Sequence, residues 1–450
     1  MPASTLIRNA TILTMNDGLD VIEGAVSVRD GRIASIEALR DSAADGAADG
    51  AYDLVIDAAG GYLLPGFVQT HIHLCQTLFR GYADDLRLLD WLRTRIWPME
   101  AAHTPASLRA AARLACLELL RSGTTSILTM ETVHDTDAVF EAVSATGIRA
   151  TIGKCMMDAA DADAPPRLRE EMRQSIADSL ALHRDWHDTA GGRIRAAFAP
   201  RFAISCSREL LEAVASLSRE GMTIVHTHAS EQRQEIAIVR RDTGLSNIEY
   251  LDLVGLLSPR LNAAHCVWVD PQDQELLARS DAKVTHCPGS NLKLGSGIAP
   301  VTEMLARGIC VSLGSDGAAC NNHLDMFGEM RLAAALQAVR AGPGSLPARQ
   351  ALRMATVNGA RALGLEGELG TIEAGKRADL ILIDASAPHL SPGLDPFSTI
   401  VYAARPDDVR LTMVDGEILV RDGRATHLDA AEITADARRE ARALAGRAGL

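Results

Sequence analysis

Between residues 66 and 316, short apolar runs alternate with longer amphipathic stretches. The runs are GFVQTHI (66–72), TTSILTM (124–130), IRATIGK (148–154), RIRAAFAP (193–200), MTIVHTH (222–228), RLNAAHC (260–266), AKVTHC (282–287) and GICVSLGSD (308–316). Near-continuous apolar runs of this length read as strands buried on both faces. The stretches between them have helix-like spacing, as in SLRAAARLACLELLRSG (107–123) and RELLEAVASL (208–217). This alternation puts the chain in the α/β class. Eight repeats favour a closed (β/α)8 TIM barrel over an open sheet.

Both ends have a different texture. Residues 1–60 show period-2 patches with Gly/Asp punctuation, and strand texture returns in 367–384 and 409–423. The two terminal pieces are similar enough in style to form one small β-module. The expected division is 1–65 (N-terminal part of that module), 66–365 (barrel) and 366–450 (C-terminal part, with a charged helix at 430–450). The stretch DSAADGAADGA (41–51) reads as a flexible loop.

The 450 residues are 47% apolar and carry a formal charge of −13, which argues against a nucleic-acid partner. The longest apolar runs, such as 309–313, are too short to span a bilayer. The first residues, MPASTLIRNATILTM, lack the three zones of a signal peptide. Eight scattered cysteines without a CxxC pair fit free thiols in a reducing compartment. A soluble, cytoplasmic protein is expected, with no membrane partner.

The candidate chemistry sits at the run ends. His71 and His73 share one face of the first strand and can chelate one ion, although alone they could be two polar residues at a strand end. His228 ends the fifth strand, His265 the sixth and Asp316 the eighth. In a barrel those ends converge on one rim. His71, His73, His228 and Asp316 are therefore expected to hold one Zn²⁺, with Fe²⁺ also acceptable, leaving a position for an activated water. Glu231 is the expected proton shuttle. His265 would polarise the attacked bond or hold the hydroxide, and Asp316 would accept a hydrogen bond from the water. His226, deeper on the face of His228, is expected to support the site or the core. His286 is expected to support it or touch substrate. His103, His134, His183, His187, His389 and His427 are expected at the surface. Strand four ends at Ala199-Pro200-Arg201 rather than in the lysine a bridged two-metal site needs, and Lys154 is on strand three. One metal is expected. The H-x-E and P-C-x-x-C of cytidine-deaminase zinc sites are absent.

PGFVQTHIHL (65–74), HTHASE (226–231), AAHCVWVD (263–270), HCPGSNLKLGSGIAP (286–300) and LGSDGAACNNHLDMFGEMRLA (313–333) resemble the amidohydrolase superfamily. Its aminohydrolase branch, with adenosylhomocysteine, guanine and triazine deaminases and triazine chlorohydrolases, is the nearest in pattern. The resemblance covers nearly the whole chain. It implies a barrel with a composite β-sandwich, one catalytic metal, a homo-oligomer, and hydrolytic displacement of an exocyclic group from a small N-heterocycle.

The substrate readings divide on a few residues. RGYADDLRLLDWLRTRIWPMEAAHT (80–104) is similar to nucleoside-type and triazine members, and in adenosylhomocysteine enzymes the residue matching Glu100 grips ribose hydroxyls. Those enzymes carry a His where this chain has Arg201. Pro-Arg-Phe after strand four and the Gln of HIHxxQT are similar to guanine deaminases. Arg201 could fork onto a purine O6/N7 edge, Phe202 could stack on the ring, and Gln76 could meet the ring edge. Cys320, four residues past Asp316, resembles triazine deaminases rather than chlorohydrolases, which favours ammonia as leaving group. The leading expectation is guanine to xanthine plus ammonia. A triazine amino- or chlorohydrolase is second, and an adenosylhomocysteine or methylthioadenosine deaminase third. A non-catalytic homologue should have lost a ligand or the shuttle, and this chain keeps all six residues. Residues 76–104 are the expected active-site lid.

Overall fold

The eight apolar runs form eight parallel strands: Phe67–Ile72, Thr124–Met130, Arg149–Met156, Ile194–Pro200, Val225–Ala229, Leu261–His265, Lys283–His286 and Val311–Leu313. They were traced in a computed structural model that describes residues 4–39, 52–159 and 164–450. The loop expected at 41–51 lies outside the described residues. The strands pair in sequence order, each with the next. All their residues but Arg195 are buried, because helices cover the outer face while side chains fill the interior.

The barrel closes between its first and last strands. Asp316 N–H donates to His71 O at 3.1 Å, and Thr70 Oγ1 donates to Leu313 O at 3.2 Å. Gly314 allows this approach, since a Cβ there would lie 2.6 Å from His71 O. The eighth strand is accordingly shorter than its apolar run, and the chain leaves the ladder in time to deliver Asp316.

The outer helices start where their caps dictate. Pro105–Arg121 begins at a capping box between Thr104 and Ser107 with Pro at its first position, two residues ahead of the expected start. Ser207 caps Arg208–Arg219, and Asp429 caps Ala430–Ala448.

The terminal segments do combine. They form the expected composite β-module as one hydrogen-bonded nine-stranded sheet, mainly antiparallel. The junction is the antiparallel pair Tyr62–Pro65 with Leu380–Ile383. One apolar cluster, including Ile7, Ile12, Val26, Leu63, Leu380 and Leu411, joins both chain ends. Arg149 pins this sheet to the barrel, donating to Asp379 at 2.8 and 3.0 Å and to Asp415 at 2.6 Å. Among the described residues, no helix is long and apolar enough to cross a membrane.

Candidate functional site

Barrel geometry brings the expected ligands together at the C-terminal rim. His71 Nε2 and His73 Nε2 each lie 3.3 Å from Asp316 Oδ1, and His73 Nε2 lies 3.3 Å from His228 Nε2. His71, His228 and His265 also converge closely enough for one ion. All five side chains are buried.

The second nitrogen of each ring decides what the first can do. His73 Nδ1 donates to Met130 O and His228 Nδ1 to Arg201 O, both at 2.7 Å. Burial lowers the pKa of both rings, so each is neutral and has only that one N–H. Their Nε2 lone pairs therefore face each other beside the Asp316 carboxylate. Among the described residues His71 Nε2 is buried without a hydrogen bond, and burial lowers that ring's pKa to about 4. Such a set repels itself when bare and becomes a ligand shell around a divalent cation.

Two carboxylates face this cluster. Asp316 holds a left-handed backbone (φ 61°), and its oxygens accept from Ser290 Oγ at 2.6 Å and Gly317 N–H at 2.7 Å. Glu231 accepts from Ser296 Oγ at 3.2 Å, and burial pushes its carboxyl up to about 7. His265, also left-handed (φ 74°), places Nε2 3.7 Å from Glu231 Oε2 and 3.9 Å from Asp316 Oδ2. Burial disfavours charge on His265, but the two carboxylates outweigh it and raise its pKa. Asn291 fixes its Nδ1 at 2.9 Å.

A pocket opens over these groups, lined by Gln76, Arg201 and Phe202 beside the metal cluster and roofed by Leu88, Trp91, Leu92 and Leu294. The roof residues 88–92 fall within the expected lid. Arg201 forms a bidentate pair with Glu100, Nη1–Oε2 at 2.6 Å and Nη2–Oε1 at 3.2 Å, with both side chains buried. Gln76 Nε2 donates to Glu100 Oε1 at 3.1 Å. Phe202 stacks on His228 with ring centroids 4.5 Å apart.

The family model for the amidohydrolase family matches residues 62–419. The chain belongs to the amidohydrolase family. Over 447 residues this amidohydrolase is 41% identical to a 5′-deoxyadenosine deaminase from Methanosarcina mazei, covering 99% of both chains. Over 449 residues it is 40% identical to a 5-methylthioadenosine/S-adenosylhomocysteine deaminase from Pelotomaculum thermopropionicum, covering 99% of this chain and 100% of that one. Among solved structures it resembles a zinc-bound adenosine deaminase from Xanthomonas campestris (TM-score 0.90, 32% identity, 98% of each chain). It also resembles a zinc complex of atrazine chlorohydrolase from Arthrobacter aurescens (TM-score 0.89, 26% identity, 97% of this chain and 100% of that one).

Several expectations for this amidohydrolase need correction. The Arg201 fork, expected to be free for a purine edge, faces Glu100. Phe202 stacks on His228 while still lining the pocket. Cys320 does not appear in the pocket lining: its thiol donates to Gly317 O at 3.1 Å. His103 is buried rather than at the surface, bonding Ser107 Oγ at 2.9 Å and Cys75 O at 3.1 Å. His134, His183, His187 and His389 are half-buried, and only His427 of that group is exposed. His286 is buried outside the pocket lining, with neither ring nitrogen bonded among the described residues. His226 fulfils the supporting role, its Nε2 lying 2.7 Å from His71 Nδ1. Lys154 is paired with Glu170 at 2.6 Å. All eight cysteines are free and buried.

Sequence reasoning missed Glu131. It directly follows the second strand, and its carboxylate accepts Leu74 N–H at 3.1 Å and Cys75 N–H at 3.0 Å, bracing the turn just after His73. Inspecting all eight strand ends, not only those ending in histidine or aspartate, would have found it. Ser290, Asn291 and Ser296 were also missed, although they lie inside the quoted HCPGSNLKLGSGIAP motif.

Proposed function

We propose that this chain is a hydrolytic deaminase of adenine nucleosides altered at the 5′ end, releasing ammonia from C6. The observation that carries this reading is the end-to-end likeness, at 41% identity, to a protein named for 5′-deoxyadenosine. The atrazine chlorohydrolase shares the fold at only 26% identity. Guanine, the leading expectation from the sequence, loses its support: the relatives above are named for adenosine derivatives and a triazine, and Glu100 already holds the fork meant for the guanine edge.

His71, His73, His228 and Asp316 are the residues that would hold one Zn²⁺, and the same donors accept Fe²⁺. When bound, such an ion acidifies water and supplies a nucleophile near neutral pH. Glu231 takes the proton from the attacking water, gives it to ring N1, and then moves a proton to the amino group. The C6–O bond forms, the C6–N bond to the amino group breaks, and ammonia leaves. His265 holds the incoming oxygen between Glu231 and Asp316 (3.7 and 3.9 Å). The Arg201–Glu100 pair and Gln76 form the wall on which the nucleoside rests.

The test is ammonia release from 5′-deoxyadenosine, methylthioadenosine, adenosylhomocysteine, adenosine, guanine, melamine and atrazine. Turnover is expected on the nucleosides. Brisk turnover of guanine or a triazine with none on any nucleoside would overturn the reading.

A further inference from the structure

The pocket roof carries a polar group that the reaction above does not use. Leu88, Trp91 and Leu92 stand at i, i+3 and i+4, so one side of this segment covers the catalytic groups. Immediately after Trp91 the helix Leu88–Trp91 widens into the π-turn Leu92–Ile96, a distortion that favours functional positions. Trp91 is only 4% exposed, and among the described residues its indole Nε1 has no hydrogen-bond partner. A buried indole N–H normally finds an acceptor, and leaving it unmet costs stability. Trp97 shares the unmet N–H but is not part of the pocket lining.

Among the described residues, three more polar atoms on pocket-lining residues are unmet: the Nε–H of Arg201, Oε1 of Gln76 and Nε2 of His265, the last assigned above to the incoming oxygen. Apart from His265, the unmet groups are two donors and one acceptor. An adenine ring presents bare nitrogens N3 and N7 once N1 has received the proton from Glu231, and its ribose brings hydroxyl donors.

We propose that Trp91 is a specificity-determining residue whose indole N–H donates to N3 or N7 of the adenine ring, fastening the roof to the substrate. The proposal rests on the adenine-nucleoside reading above. The bond forms on binding and persists through the reaction, so its loss raises KM and leaves kcat nearly unchanged.

The experiment compares 5′-deoxyadenosine with its 3-deaza and 7-deaza analogues, on the wild-type holoenzyme and on Trp91→Phe, which keeps the aromatic area and removes the donor. Wild type is expected to lose about 10-fold in kcat/KM on one analogue. Trp91→Phe is expected to show a similar KM penalty on the parent substrate and indifference to that same nitrogen. The proposal is overturned if wild type ignores both replacements, whether or not the variant folds. It is equally overturned if folded Trp91→Phe matches wild type, or if its penalty multiplies with both deaza penalties. If wild type releases no ammonia from any adenine nucleoside, the parent reading fails and this proposal fails with it. Turnover without a Trp91 effect removes the proposal alone.

Discussion

At the metal end of the site, His71, His73, His228 and His265 sit at or beside strand ends, and each ring is fixed through its second nitrogen by His226, Met130 O, Arg201 O or Asn291. On the substrate side, Gln76, Trp91 and Glu100 lie on the excursion after the first strand, and Glu100 meets Arg201 from 101 residues away. The first arrangement follows from strand alternation and the convergence of barrel ends. The second depends on where one loop lands against another strand. A side chain's type and neighbourhood can thus be right while its partner is wrong.

Metal removal should break the comparison most severely. Chelation is expected to abolish ammonia release, and added Zn²⁺ to restore it, while the Arg201–Glu100 wall stays folded by circular dichroism. Loss of fold together with activity would mean that the two ends are not separable.

Arg201→Ala probes the opposite end. It strands a buried carboxylate, so a loss of about 3–5 kcal/mol in unfolding free energy is expected by denaturant titration. Adding Glu100→Gln should recover part of that loss, and simple additivity would disprove the coupling.

Glu231→Gln should lower kcat by at least about 10²-fold with zinc content unchanged by atomic absorption. A normal kcat would remove its role as shuttle. The smallest expected effect belongs to His226→Phe, which frees His71 Nδ1. Zinc affinity should fall about 10- to 100-fold in a competition titration. An unchanged affinity would mean that His226 only fills space.

The barrel strands, the rim ligands and Glu231 were legible because each obeys a local period. Arg201, Phe202 and Cys320 were placed near the right site, but their partners were not legible. Glu100 and His228 reach Arg201 and Phe202 through tertiary contacts that no local pattern encodes, while the Cys320 thiol turns back to Gly317 O, three residues earlier. His103 looked like a surface residue because it sits in a polar turn, yet it is buried and bonds Cys75 O in the turn beyond the first strand. The terminal module was recognisable by its texture. Its joining into one sheet depends on pairing Pro65 with Leu380, far apart in sequence.

That pairing also bears on how the protein is made. Tyr62–Pro65 leads directly into the strand carrying His71; one of its sheet neighbours, Ser4–Leu13, precedes it, yet the other, Leu380–Ile383, is synthesised only after the whole barrel. Until then the growing chain presents an open strand edge next to its first metal ligand, and long-range pairings of this kind form slowly and are exposed to aggregation. A ribosome that stalls before Leu380 would release a nearly complete barrel whose first strand follows one still open along an edge.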